Sequence, residues 1–166
     1  MLKSFISSSH VRNFVFGVED SLVSTVGLLS GVAAAGTEKS TILLTGVVLI
    51  FVEAFSMAAG SFLSDQSANE FATQQDLPLS RSFSGGVIMF ISYFVSGFIP
   101  LAPYIFLSGE SAFSFSIGAS LAALFVLGAF GSSVSKVNLW KGGLQMALIG
   151  GIAIGIGVFV GHFFAV

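Results

Sequence analysis

Apolar residues fall in five long runs along the chain, separated by short polar breaks. A membrane-spanning helix needs about 20 mostly apolar residues at 1.5 Å of rise each. The runs predict spans over about 14–35, 41–63, 84–107, 112–134 and 142–165. The first break is Gly36-Thr37-Glu38-Lys39-Ser40, and Ser108-Gly109-Glu110 separates the third run from the fourth. The longest polar stretch, Ser64–Ser82, is predicted as a loop, with the second helix extending to Gln75 before Pro78 stops it. In the third run Pro100 and Pro103 remove two backbone donors and should kink or break the helix near its end, a candidate hinge.

Composition sharpens this pattern. Of 166 residues, 54% are hydrophobic and only 8% are charged. Soluble domains average about 25% charged residues, so the chain lacks the shell that a soluble core of this size requires. The expected fold is an all-α membrane protein of five transmembrane helices, a single domain over 1–166. Cysteine is absent, which excludes disulfides and thiolate ligands. A net charge of −2 points to no nucleic-acid partner. Residues 1–13 are polar and short, and the run after them is too long for a signal core, so the first span is expected to stay in the mature chain.

The basic residues orient the bundle. With a cytoplasmic N-terminus, Lys3, Arg12, Arg81, Lys136 and Lys141 all fall on the cytoplasmic side, and Lys39 alone falls outside. Trp140 then sits at the cytoplasmic interface. No organelle-targeting segment is evident, which favours a prokaryotic plasma membrane over a vacuolar one.

Against this apolar background the intramembrane acids stand out. A carboxylate costs roughly 2.5–3.5 kcal/mol at the centre of a span. Glu19 and Asp20 lie in the first span and Glu53 in the second, with no Lys or Arg at their depth to neutralise them. Asp20 is level with Met57, roughly 10 Å from the cytoplasmic edge, and Glu53 is one turn deeper, level with Ser24. Glu53 and Met57, four apart, share a helix face; Asp20, Ser24 and Gly27 share another. If these faces meet, they bring together two titratable carboxylates and a soft thioether, a ligand set suited to transition metals over Mg²⁺. Small residues at Gly27/Gly31 and Ser56/Gly60 would let the two helices approach closely. The same spacing recurs in the fifth span at Gly151/Gly155 and Gly157/Gly161, where close packing explains it.

Other polar residues carry less. Glu19 points about 100° away from Asp20 and keeps a supporting role, as does Ser24. Asp65 and Glu70 in the cytoplasmic loop are candidates for drawing cations to the entrance, and with Asp76 read otherwise as a solvated face. His10 and His162 have no ligand partner at a recognisable spacing. No nucleophile–base constellation, phosphate-binding loop or HExxH motif is present, so the chain is not read as an enzyme.

The run from Arg12 to Val23, RNFVFGVEDSLV, resembles the first-helix signature of the vacuolar iron transporter family. Ser56–Ser64, SMAAGSFLS, resembles its second-helix SMAxG signature, and Pro100–Tyr104, PLAPY, the end of its third helix. The resemblance implies a homodimer of five-helix protomers that exports Fe²⁺, often Mn²⁺ as well, from the cytosol in exchange for protons. It places the ion path along the dimer interface, lined by Asp20 and Met57. Three positions depart from the family pattern: Ser21 replaces a usual Gly, Ser61 a common Glu, and Glu53 a usual small residue. Ser64–Ser82 is also too short to hold the family's Glu-rich cytoplasmic helical domain.

The expected function is therefore proton-coupled export of Fe²⁺ or Mn²⁺ as transported substrate, with no permanently bound cofactor. The expected partners are divalent metal ions, protons, the bilayer and a second copy. The alternative is a non-transporting membrane scaffold or subunit whose buried acids bind a partner helix.

Overall fold

The computed structural model describes residues 8–76 and 78–165. Lys3, used above to orient the chain, lies outside the described residues. Five helices run in order: α1 (Ser8–Ala34), α2 (Lys39–Thr73), α3 (Ser80–Phe106), α4 (Gly109–Val134) and α5 (Leu139–Phe164). Each is long and apolar enough to cross a membrane.

The helix ends follow from local chemistry. Gly36, with φ +77°, makes the turn after α1, and Gly109, with φ +61°, opens α4. Gln74 adopts φ 53° and its N–H bonds Glu70 O, which stops α2 before Pro78. Asn138 caps α5, its side chain accepting from Trp140 N at 3.0 Å and Lys141 N at 3.3 Å. As the sequence predicts, the second helix extends into the polar stretch after Ser64, as far as Thr73, so α2 carries Asp65, Gln66 and Glu70 beyond the apolar run.

α3 is the wedge of the bundle. It packs extensively on both α1 and α2, which touch each other only lightly. Its small residues allow this: a Cβ at Gly86 would lie 3.0 Å from Ala58 O of α2, and one at Gly97 would lie 2.7 Å from Ile50 Cγ1 and 2.9 Å from Ser21 Oγ. Leu29, Ile50 and Leu101, all fully buried, close the core where the three helices meet. Outside this core, large apolar side chains such as Phe55, Phe106 and Phe159 point outward, as a lipid-facing surface requires.

Two sequence expectations are corrected here. α3 does not break at its prolines; it runs helical through Pro100 and Pro103 to Phe106. Burial holds it there, with Pro100 and Leu101 fully enclosed and Ser116 Oγ of α4 donating to Pro100 O at 2.7 Å. Second, Gly27 and Gly31 do not bring α1 to α2. They receive α5, which runs parallel to α1: a Cβ at Gly27 would lie 3.3 Å from Ala153 O, and one at Gly31 2.7 Å from Gly157 O. Gly157 and Gly161 return the fit, since a Cβ on either would collide with the α1 backbone at Gly27 or Gly31. Gly151 and Gly155, at the same spacing on α5, face open space.

This contrast is testable. Gly157→Ala and Gly161→Ala are each expected to destabilise the protein by about 1–3 kcal/mol, the usual cost of overpacking. Gly118→Ala and Gly151→Ala, where a Cβ meets nothing within 4 Å, are expected to change little. Thermal unfolding of the detergent-solubilised protein distinguishes the two sets.

Candidate functional site

α1 and α3 run parallel, and their contact sets the level of the acids. Residues 13, 17 and 21 of α1 recur every fourth position and so share one face. Facing them on α3 are Gly85, Met89, Ser92, Tyr93 and Gly97. Gly17 supplies the closest approach: a Cβ there would collide with Ser92 Oγ and lie 3.1 Å from Met89 Sδ. One turn on, Ser21 Oγ donates to Tyr93 O at 2.7 Å. That hydroxyl stands where the family signature has Gly, and here it ties α1 to α3.

Asp20 and Glu53 come within electrostatic reach of each other across the bundle. Both are half-buried, and neither forms an ion pair or hydrogen bond with another described residue. The element between them is α3. Fully buried Tyr93 lies close enough to feel both charges, and its hydroxyl shares a 2.8 Å hydrogen bond with Ser24 Oγ. The four side chains form one group: two carboxylates, a phenol and a hydroxyl. Tyr93 was missed by sequence reasoning. Its signal was the polar run Ser92-Tyr93 with Ser96 in an otherwise apolar span, spaced to put Met89, Tyr93 and Gly97 on one face.

The remaining candidates are dispersed. Glu19 interacts electrostatically with Asp20 and stays half-buried. Met57 is also half-buried, in a cavity of about 630 Å³ with Phe16, Ser61 and Met89, where neither Asp20 nor Glu53 is part of the lining. Asp65 and Glu70 are both engaged. Asp65 accepts from three α1 side chains, and Glu70 accepts from Gln66 Nε2, whose Oε1 in turn accepts from Ser82 Oγ of α3 at 2.9 Å. His10 Nε2 meets Ser84 Oγ at 2.9 Å, and His162 Nδ1 meets Val158 O at 3.1 Å. Among the described residues no three of His, Cys, Asp and Glu gather as a metal-holding group.

The chemistry of the central group follows from charge. Two carboxylates held near each other in a low-dielectric layer repel, and a bound cation or proton relieves that repulsion. Beside the Met57 cavity the surface of α2 is open. Ser56 and Gly60 of α2 are exposed, and a Cβ at Gly60 would meet nothing within 4 Å.

Comparison with known proteins bears on this arrangement. The model of the VIT family matches residues 11–78 and 72–162, two segments that meet in the α2–α3 connection. Vacuolar iron transporter 1 of Tulipa gesneriana is 22% identical over 91% of this chain and 85% of its own length. That alignment runs over 211 positions, more than the 166 residues here, so the tulip protein carries residues with no counterpart in this chain. Vacuolar iron transporter homolog 3 of Arabidopsis thaliana is 26% identical over 88% of this chain and 78% of its own length. An uncharacterised protein of Methanocaldococcus jannaschii is 25% identical over 96% of this chain and 94% of its own length.

The α1–α3 contact gives a direct test. Gly17→Ala is expected to lower stability by about 1–3 kcal/mol. Removing the colliding hydroxyl with Ser92→Ala in the same chain should recover part of that loss, a coupling that a double-mutant cycle of thermal unfolding measures.

Proposed function

The chain belongs to the VIT family and is a multi-pass membrane protein, and we propose that it exports a divalent transition metal, Fe²⁺ or Mn²⁺, from the cytosol in exchange for protons. The observation that carries this reading is the Asp20–Glu53 pair. Two acids on different helices come within electrostatic reach of each other, with no basic side chain paired to either among the described residues. A permanent structural role would supply such a partner. A transported cation supplies it only in passing.

The mechanism follows from the group. Ionised, Asp20 and Glu53 offer hard oxygen ligands to a divalent metal. Tyr93 and Ser24 fix the polar surroundings through their shared hydrogen bond. Protons arriving from the opposite side displace the metal, since each neutralises one carboxylate. Met57 borders the neighbouring cavity and gives the path a soft ligand, favouring Fe²⁺ and Mn²⁺ over Mg²⁺. The reading follows the iron-transporter names of the tulip and Arabidopsis relatives.

A homodimer completes the proposal. Half-buried acids would meet hydrocarbon in a single copy, at the cost given above, and exposed Ser56 and Gly60 of α2 leave room for another helix to approach. A second copy packed on this face covers them and doubles the number of ligands, which suits a group that within one chain falls short of a full coordination shell.

Proteoliposomes holding the purified protein should take up or release Fe²⁺ and Mn²⁺ faster when a pH gradient is imposed. Asp20→Ala and Glu53→Ala should reduce that flux to the level of empty liposomes with the elution volume of the protein unchanged. Flux that survives both substitutions sinks the reading. Tyr93→Phe keeps the buried ring and removes only the hydroxyl; it is expected to weaken Mn²⁺ binding by about tenfold in calorimetry, the low end for loss of an outer-shell partner.

A further inference from the structure

At the end of the bundle away from Ser8, all five helices border a cavity of about 480 Å³. α1, α3 and α5 finish there, and α2 and α4 begin. The apolar runs stop at this level, so the cavity lies at a membrane–water interface. Its volume falls in the usual range for a bound small molecule, roughly 300–1,000 Å³. The wall is divided in character. Ile42, Leu107 and Phe113 give it apolar surface, and Lys39 and Glu110 bring opposite charges. Tyr104, 3% exposed, forms its buried side, and the shielded Tyr104 hydroxyl has no hydrogen-bond partner among the described residues.

Lys39 and Glu110 border one cavity, yet no ion pair joins them. The ammonium is turned to the end of α3, donating to Leu107 O at 2.9 Å and Ile105 O at 3.1 Å. Two of its three N–H groups are thereby used, and the third has no acceptor among the described residues. Glu110 forms neither an ion pair nor a hydrogen bond with another described residue. The cavity thus presents a positive donor and a negative acceptor, both with capacity to spare, beside apolar surface.

A ligand that answers all three features carries an anion, a cation a short distance from it, and an apolar remainder. A metal ion answers only Glu110 and is repelled by the ammonium. The one carboxylate and one imidazole of the lining, Glu110 and His162, also fall short of a metal-holding group. An aminophospholipid has the required constitution: a phosphate, a primary ammonium two carbons beyond it, and acyl chains. We propose that this cavity is a headgroup site for an aminophospholipid, with the phosphate accepting from Lys39 and the ammonium donating to Glu110. The apolar wall then meets the glycerol and the upper chains, and the ends of α2, α3 and α4 are tied together through one lipid. The site is separate from the Asp20–Glu53 group and does not depend on the transport reading.

Native mass spectrometry of the detergent-solubilised full chain tests the assignment, with phosphatidylethanolamine or phosphatidylglycerol of identical acyl chains added singly. Phosphatidylethanolamine should bind about tenfold more tightly than phosphatidylglycerol, which lacks the ammonium; this is the low end for a hydrogen bond between charged groups. Glu110→Gln should erase that preference, and its continued binding of phosphatidylglycerol shows that the variant is folded. Lys39→Gln should weaken both lipids, and Lys39→Arg, which keeps the charge, should restore them. Equal binding of the two lipids by the unaltered chain overturns the site, as does a preference that survives Glu110→Gln. Glycerophosphoethanolamine, the headgroup without its chains, should not displace the lipid at equal concentration. If it does, the ligand is a soluble zwitterion and the lipid assignment falls.

Discussion

The governing constraint is the cost of polar groups in hydrocarbon. Every such group must find a partner inside the protein, because lipid offers none. The bundle meets this demand with short side chains bonding to backbone: Ser21 to Tyr93 O, Ser116 to Pro100 O, Ser120 to Ser116 O. Against that economy, Asp20 and Glu53 are conspicuous. They are the costliest groups at their level and have no hydrogen bond or ion pair among the described residues. The rest of the structure is arranged to hold them there, with α3 wedged between their helices and Tyr93 at its centre.

Close approach of backbones makes the arrangement possible. Where α1 meets α3 at Gly17 and α5 at Gly27 and Gly31, added methyl groups would have no space. The first helix therefore has two crowded sides, and its acids occupy what remains. Dispersion contacts of this kind are what hold helices together in lipid, where burying apolar surface gains little. The glycine in the Phe16-Gly17-Val18-Glu19-Asp20 run has the same role in this light. It lets α3 come near enough to place Tyr93 beside the acid three residues further along.

Much of this was legible in the sequence. The five spans followed from run length, and the helical extension of α2 past Leu63 followed from the position of Pro78. Asp20 and Glu53 stood out because charge in an apolar run is conspicuous, and the structure puts them within electrostatic reach of each other. Partner choice was not legible. Glycines four apart announce a close contact without naming the helix that makes it, so Gly27 and Gly31 were assigned to α2 when they fit α5. The prolines of α3 showed which hydrogen bonds are lost but not that burial keeps the helix whole. Tyr93 was overlooked because an aromatic residue in a span reads as bulk until a hydroxyl partner from another helix is seen.

One consequence of the α5 packing concerns how the helices are joined. α3 is pinned to its neighbours by directional bonds, to α1 through Ser21, to α2 through Ser82 and Lys39, and to α4 through Ser116. Among the described residues no side-chain hydrogen bond joins α5 to another helix. Its position along α1 is fixed by steric interlock alone, glycine against glycine. Such a seam resists separation and sideways tilt, yet nothing in it opposes axial sliding except the loss of fit. The bundle thus combines a bonded frame of four helices with a fifth that is keyed to it like a dovetail.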